Sequence, residues 1–303
     1  MNKKYLFIVN PTAGNGKTAH LIDRLKKLII KSKIEYKIVT TESRGHIDSI
    51  INSNTSSYNR FIVVGGDGTA HDLINSKSIL DVVCGVIPTG NGNDFAATLK
   101  MKKNLEKDLS IIINDNISKL DVGIAEIINQ DGTDSSARFI NSIGIGFDAA
   151  VAAGAQTIDY LSGLTLYLVS IFKNLIRYKM SNFIIKADEL NFSGTAFMVS
   201  VGNGKTAGGG FLLTPNAEPD DGLLDYCLIK KINKFKAVFT LLPKSIIGKH
   251  ITSHSVIYSK TRQLDILVES PLYVHADGEI LTNLLKRIKI SLMPKMLNII
   301  SNR

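Results

Sequence analysis

The chain has no tryptophan, two cysteines and seven prolines in 303 residues. Cys84 and Cys227 stand far apart in a chain large enough to build its own core, so a disulfide framework is excluded and a reducing cytoplasm fits. Long hydrophobic runs are also missing. The longest apolar stretch, Leu161 to Phe172, is diluted by Ser162, Gly163, Thr165 and Ser170 and falls well short of the ~20 residues that span a bilayer. The run Tyr5 to Val9 is broken by Asn10-Pro11 too early for a signal-peptide core, so a cytoplasmic location is expected. With 44% hydrophobic and 21% charged residues, the disordered and collagen-like classes are excluded. Acidic residues are outnumbered: 27 Asp and Glu against 36 Lys and Arg leave a net charge of +9. That balance favours polyanionic partners, whether nucleic acid, nucleotide phosphates or an anionic membrane face. The basic residues come in scattered pairs with no interleaved aromatic ladder, which argues against nucleic acid. The six histidines form no zinc-binding motif, and His250 and His254 read as a solvated pair.

The length suggests two domains. Over the first hundred residues one unit recurs three times: a short apolar run, a glycine-rich loop and a helical pattern. Tyr5 to Val9 leads into Asn10-Pro11-Thr12-Ala13-Gly14-Asn15-Gly16 and a helix striped by Leu21, Ile22, Leu25, Leu28 and Ile29. Phe61 to Val64 leads into Gly65-Gly66-Asp67-Gly68-Thr69, and Val82 to Ile87 into Pro88-Thr89-Gly90-Asn91-Gly92-Asn93-Asp94. If the strands are parallel, all three loops emerge at their carboxyl ends, where open α/β sheets bind ligands. After about Leu120 the texture changes to short β-type runs at 183–185, 196–201, 223–229, 264–268, 272–275 and 288–292. These predict a mostly antiparallel β region interrupted by helices near 161–179 and 235–247.

Gly-Asn-Gly-Lys-Thr occurs at 14–18 and again at 202–206. Neither copy is a P-loop, because the required upstream glycine is replaced by Pro11 and Val199. The loop Gly65 to Thr69 is more pointed. Three glycines in four residues let backbone amides approach a phosphate, while Asp67 and Thr69 offer a carboxylate and a hydroxyl. In the proline loop, Asn93 or Asp94 could cap a helix or contact a ligand. Asp67 and Asp94 are candidates to meet a magnesium ion bound to a triphosphate. Asp220-Asp221-Gly222 with Asp225 reads as a hard-cation site or an Asp-Gly turn. Around Asp277-Gly278-Glu279 the local rules give a hairpin tip.

Taken in order, these segments resemble the bacterial lipid kinases of the diacylglycerol kinase catalytic-domain family. The resemblance rests on Val9-Asn10-Pro11 with Gly14, on Gly65 to Thr69, on Pro88 to Phe95 and on Phe139-Ile140-Asn141 with Gly144 to Asp148. It continues through Asn203-Gly204, Gly208 to Phe211, and Pro215-Asn216-Ala217 with Asp220-Asp221-Gly222. It implies an α/β nucleotide-binding domain with a parallel, Rossmann-like or phosphofructokinase-like sheet over 1–122, to which 294–303 return. A mostly antiparallel β-sandwich lipid-substrate domain follows over 123–293, with the ATP site in the cleft between them. Family ATP contacts fall on Asn10, Pro11, Thr12, Ala13, Gly14, Thr41, Gly65, Gly66, Asp67, Gly68, Thr69 and Asp72, with Asn91, Asn93 and Asp94 beside them. A structural Mg²⁺ is implied near Asp221, with backbone oxygens around Glu218 and Leu223, and the proton-accepting acid comes from Asp277 or Glu279. His71-Asp72 stands where the family usually has Asn-Glu, and Asn91 where it usually has Thr, which implies changed nucleotide affinity more than lost chemistry.

The implied activity is transfer of the γ-phosphate of ATP to a hydroxyl of a membrane lipid such as diacylglycerol, in phospholipid metabolism. The implied protein is cytoplasmic, docks peripherally on anionic membrane through its basic excess, and binds no nucleic acid; a homodimer is left open. Two other readings stand beside it: an NAD kinase, and a non-catalytic regulator that binds nucleotide or lipid.

Overall fold

The computed structural model describes residues 3–158 and 163–303; Leu161 and Ser162 of the apolar stretch lie outside them. The chain divides into two compact units, Met1–Leu120 with Lys295–Arg303, and Asp121–Pro294.

The first unit is built on four parallel strands in the order β4-β3-β1-β2: β1 (Lys4–Val9), β2 (Glu35–Thr40), β3 (Arg60–Gly65) and β4 (Val83–Pro88). Leu6 to Val9 and Phe61 to Val64 are fully buried, as expected for strands covered on both faces. Beyond β4, Asn298 and Ile299 add a short parallel pairing. The helices are α1 (Lys17–Lys31), α2 (His46–Asn52), α3 (Asp67–Asn75), α4 (Asp94–Thr98) and α5 (Leu105–Asn114). Leu25 and Ile29 form the buried stripe of α1. Helix α5 starts where the Asn104 side chain accepts the N–H of Lys107 and stops at Asp115, which takes a left-handed conformation.

The second unit is antiparallel β. Its strands are β6 (Asp134–Phe139), β7 (Ser142–Gly146), β8 (Ser181–Ala187), β9 (Asn191–Gly202), β10 (Leu224–Lys230), β11 (Val256–Thr261), β12 (Gln263–Val268), β13 (Val274–Ala276) and β14 (Glu279–Thr282). The longer β5 (Ile117–Asn129) enters it and β15 (Leu285–Ile300) leaves it. The order runs β14-β13-β7-β9-β8-β12-β15, with β10 on β9, β11 on β10, and β6 on β5. Helices α6 (Phe147–Ala155) and α7 (Gly163–Arg177) follow β7; α8 (Lys234–Lys236), a π-turn over Ala237–Leu241 and α9 (Leu242–Ser245) follow β10. One apolar core, including Phe139, Phe183, Ile145, Val201 and Ile266, fills this unit.

Strand β2 escapes the apolar-run reading because it lies at the sheet edge and its burial only alternates. The expectation for the histidine pair is overturned. His250 is buried, its Nε2 lying 3.2 Å from the Leu213 carbonyl and 3.5 Å from Cys227 Sγ. Burial lowers its pKa and pushes the Cys227 thiol up to about 12.

At the end of α5, Asp115 takes both nitrogens of the Arg60 fork, at 2.7 and 2.9 Å, with Lys3 at 3.2 Å. Burial opposes its charge, but the Arg60 and Lys3 hydrogen bonds outweigh it and hold the pKa below the ordinary carboxylate range. A depressed folded pKa contributes stability that is present above the unfolded value and is lost as pH falls through the folded one. Asn keeps the left-handed turn, so Asp115→Asn isolates the charge. It is expected to cost about 2 kcal/mol in urea unfolding at neutral pH, with the gap to wild type closing on acidification.

Candidate active site

In the first unit the strand ends are in register. Val9 sits opposite Thr40 and Val64, and Gly65 opposite Pro88. The loops after all four strands therefore leave the sheet at one edge. Connections reverse direction between β1 and β3, which opens a crevice there. Asn10 bridges it: its Nδ2 donates to Thr69 Oγ1 at 2.9 Å, and its Oδ1 accepts from the Thr12 N–H and hydroxyl at 3.1 and 2.8 Å. The loop after β1 is pressed against the proline loop, since a Cβ on Gly14 (φ +63°) would lie 2.3 Å from the Thr89 carbonyl oxygen. Pro11 and Ala13 belong to this same turn, which closes with the Ala13 N–H on the Asn10 carbonyl. Thr41 follows β2 and donates its N–H to the Val9 carbonyl.

The two glycine-opened loops touch through bare backbone. A Cβ on Gly90 would lie 2.4 Å from Gly66 Cα, and one on Gly66 3.0 Å from Gly90 Cα. Asp67 clasps them together: its carboxylate accepts the N–H of Asn93 at 2.6 Å and of Phe95 at 3.3 Å. Asn93 occupies the position before α4, yet its side chain does not cap the helix. It folds back on its own loop, accepting the Gly90 N–H at 3.1 Å and donating to the Gly90 carbonyl. Gly68 lies inside the first turn of α3. Asn91 reaches Asn15 Oδ1 at 3.4 Å. Asp72 accepts the N–H of Gly45 at 3.3 Å and so ties α3 to the loop after β2.

In the second unit the hairpin tip between β13 and β14 carries Asp277 (φ +51°) and Gly278 (φ +87°), the two positive angles of a tight hairpin turn. Asp277 is an acceptor three times over. Its Oδ2 takes the N–H of Ile140 at 3.0 Å, and its Oδ1 those of Asn141 and Ser142, both at 2.9 Å. Glu279, half-buried, opens β14 two residues on. His275 steadies the same turn: the Gly278 N–H donates to its Nδ1 at 3.2 Å, which leaves the proton on Nε2, 3.3 Å from Asp148 Oδ2. A Cβ on Gly144 would strike both side chains, at 2.2 and 2.4 Å.

The turn at 218–223 is laced with ion pairs. Lys205 lies 2.7 Å from Glu218, and Lys260 lies 2.6 Å from Asp221 and 3.7 Å from Asp225. Asp221 Oδ1 also accepts the Leu223 N–H at 3.0 Å, and Asp121 accepts that of Gly222 at 2.7 Å. Burial raises the pKa of Asp225, opposed by the Tyr258 hydroxyl and Lys260. Lys260 thus already supplies the positive charge this cluster requires. No group of three or more potential metal-ligating side chains forms among the described residues.

Of these clusters, His275, Asp121 and Lys260 are singled out by no motif in the sequence, and Asp148 only as the end of a family-like segment. Asp148 and His275 lie inside or beside the family-like segments, but their pairing crosses from the start of α6 to β13. The second Gly-Asn-Gly-Lys-Thr copy serves the core: Asn203 Nδ2 donates to the carbonyls of Asp121 and Ile140, at 3.0 and 2.8 Å. Beneath α7 and the π-turn lies a cavity of about 60 Å³, lined by Phe147, Ile171, Phe197, Met198, Leu241 and His250.

Residues 4–125 match the diacylglycerol kinase catalytic domain, and residues 141–301 match the YegS C-terminal NAD kinase beta sandwich-like domain. The chain belongs to the diacylglycerol kinase catalytic-domain family of lipid kinases. Within that family, it is 27% identical over 307 residues to a diacylglycerol kinase of Mycobacterium tuberculosis, covering 99% of this chain and 96% of that one. A solved structure titled as a diacylglycerol kinase of Bacillus anthracis shares the fold, with a TM-score of 0.72 at 23% identity over 99% of this chain and 97% of that one. A yeast NADH kinase is a more distant likeness, at a TM-score of 0.56 and 11% identity over 99% of this chain and 83% of that one. Membership in this kinase family makes the chain an enzyme with an α/β domain and a β-sandwich domain.

The Gly66–Gly90 contact yields a direct test. Gly90→Ala places a methyl group into backbone and is expected to cost roughly 1–3 kcal/mol in thermal unfolding; an unchanged melting temperature would show that the loops do not touch.

Proposed function

We propose that this lipid kinase transfers the γ-phosphoryl group of Mg²⁺-bound ATP to a hydroxyl of a membrane lipid, of which diacylglycerol is one example. Family membership supports the reaction class, and the glycine backbones of the two loops at one sheet edge support the nucleotide. Loops that meet without side chains let a triphosphate approach their backbone closely, and the first turn of α3 adds the favourable end of its dipole. On this reading Asn10, Pro11, Thr12, Ala13, Gly14 and Thr41 contact the nucleotide together with Gly65 to Thr69, Asp72, Asn91 and Asn93. Asp94 faces the Mg²⁺ that the triphosphate brings with it. The first unit is then the ATP-binding domain and the second the lipid-substrate domain, whose apolar cavity accommodates part of a lipid tail.

Glu279 is proposed as the proton acceptor. Asp277 is spent on three backbone N–H groups, and protonating it would loosen the turn that carries Glu279. The lipid hydroxyl gives its proton to Glu279, its oxygen bonds to the γ-phosphorus, and the β–γ bridging oxygen departs with ADP. Positioning and charge neutralisation supply most of the rate. A structural Mg²⁺ near Asp221, with backbone oxygens around Glu218 and Leu223, is proposed to stand apart from this transfer step. The protein is proposed to work in the cytoplasm at the surface of an anionic membrane. No helix among the described residues is long and apolar enough to cross one.

Purified protein incubated with radiolabelled ATP, Mg²⁺ and mixed bilayer lipids is expected to yield a phosphorylated lipid, and Glu279→Gln to lower turnover by a factor of about 10²–10⁴ while melting as wild type does. Label in no lipid class would refute the proposal, and label in NADP when NAD is supplied would replace it with the NAD kinase reading.

A further inference from the structure

Apolar exposure in the second unit is concentrated. Of the fourteen large hydrophobic side chains exposed among the described residues, six lie on α7 and on the run from α8 to just past α9, including all three exposed phenylalanines. Phe172 and Ile176 stand one turn apart on the outer side of α7; Phe235 and Phe239 do the same on the second run. The rings of Phe172 and Phe239 meet at 6.3 Å, and Lys234 Nζ donates to the Ile176 carbonyl at 3.3 Å, so the two helical segments present one surface. Their inner sides, Ile171, Leu175, Val238 and Leu241, already fill the core. Packing within the unit therefore leaves the outward phenylalanines without a role.

The charge around them has one sign. From 226 to 264 the sequence has eight Lys or Arg and no Asp or Glu; from 163 to 187 it has four and none. Lys173, Arg177, Lys236, Lys244 and Lys249 are exposed, and none has a carboxylate partner among the described residues. On α7 the apolar pair 172/176 runs beside the basic pair 173/177, the side-by-side arrangement of helices that lie in a membrane interface. Two such faces would repel each other, which disfavours a second copy as the occupant.

We infer that this face docks on an anionic lipid bilayer, the phenylalanines entering among the acyl chains and the lysines lying at headgroup level. Its purpose rests on the lipid-kinase reading: docking brings the bilayer against the two segments that cover the apolar cavity.

The experiment is co-sedimentation with vesicles of phosphatidylcholine alone or mixed with phosphatidylglycerol, alongside turnover of a short-chain diacylglycerol kept monomeric in solution. Wild type is expected to sediment with the mixed vesicles, and less as salt is raised. Phe172→Ser with Phe239→Ser is expected to weaken partitioning about a hundredfold, and Lys236→Gln with Lys244→Gln about thirtyfold. Turnover of the monomeric acceptor should stay unchanged in both. Absence of wild-type partitioning, equal partitioning of the variants, or a dimer in sedimentation equilibrium that Phe239→Ser dissociates would each overturn the docking inference. Partitioning that the substitutions abolish, in a protein that phosphorylates no lipid, would support docking and defeat the kinase reading instead.

Discussion

The carboxylate of Asp277 is the acceptor around which the β-rich unit arranges the corner between β6, β7 and the β13–β14 hairpin. Three successive amides, Ile140 to Ser142, point at it, and its own N–H returns to the Ser142 carbonyl at 2.8 Å. Three backbone donors that would otherwise lie buried and unpaired are satisfied by one side chain. The clasp fixes the start of β7 against β13, and so fixes Asn141, whose carbonyl accepts from Asn203 and Gly204. It also sets the turn from which Glu279 emerges. On the proposed reading, acid chemistry at this tip is divided between a residue that holds and a residue that reacts.

The α/β unit uses a carboxylate the same way. Asp67 has the position of a metal ligand in the sequence, yet its oxygens collect the amides that start α4. Asp72 likewise gathers the Gly45 amide. Such clasps need aspartate, whose short arm keeps the acceptor close to the main chain. The glycines complement them. Where Gly66 meets Gly90 and Gly14 meets Thr89, any side chain would force apart loops that the clasp draws together. Helix dipole, bare glycine backbone and clasped loops combine into a surface that suits a polyanion, in accord with the nucleotide reading.

Much of the scaffold is legible in the sequence, because buried parallel strands are continuous apolar runs and glycine clusters mark their ends. Tyr5 to Val9 and Phe61 to Val64 announce β1 and β3, and Asp277-Gly278 announces its hairpin. Strand β2 does not show itself, since an edge strand needs only half its side chains buried. The ribbon β5–β6 is equally hard to see, because its alternation is broken by exposed serines and its turn, Asp131-Gly132, lies in a polar stretch. Roles are harder to read than elements. Spacing cannot tell Asp277 from Glu279, two residues apart on a reversing turn. Nor can it show that Lys260 arrives from β11 to neutralise Asp221, or that His250 is buried while His254 is not. Those distinctions depend on which distant backbone or cation approaches, which is a property of the assembled sheet.

Amide-resolved hydrogen exchange at Ile140, Asn141 and Ser142 is the decisive check on the division of labour proposed for the two acids. Slow exchange of all three is predicted in wild type and in Glu279→Gln, and exchange faster by about tenfold or more in Asp277→Asn alone. Unchanged protection in Asp277→Asn, or loss of it in Glu279→Gln, would contradict the assignment of the holding role to Asp277.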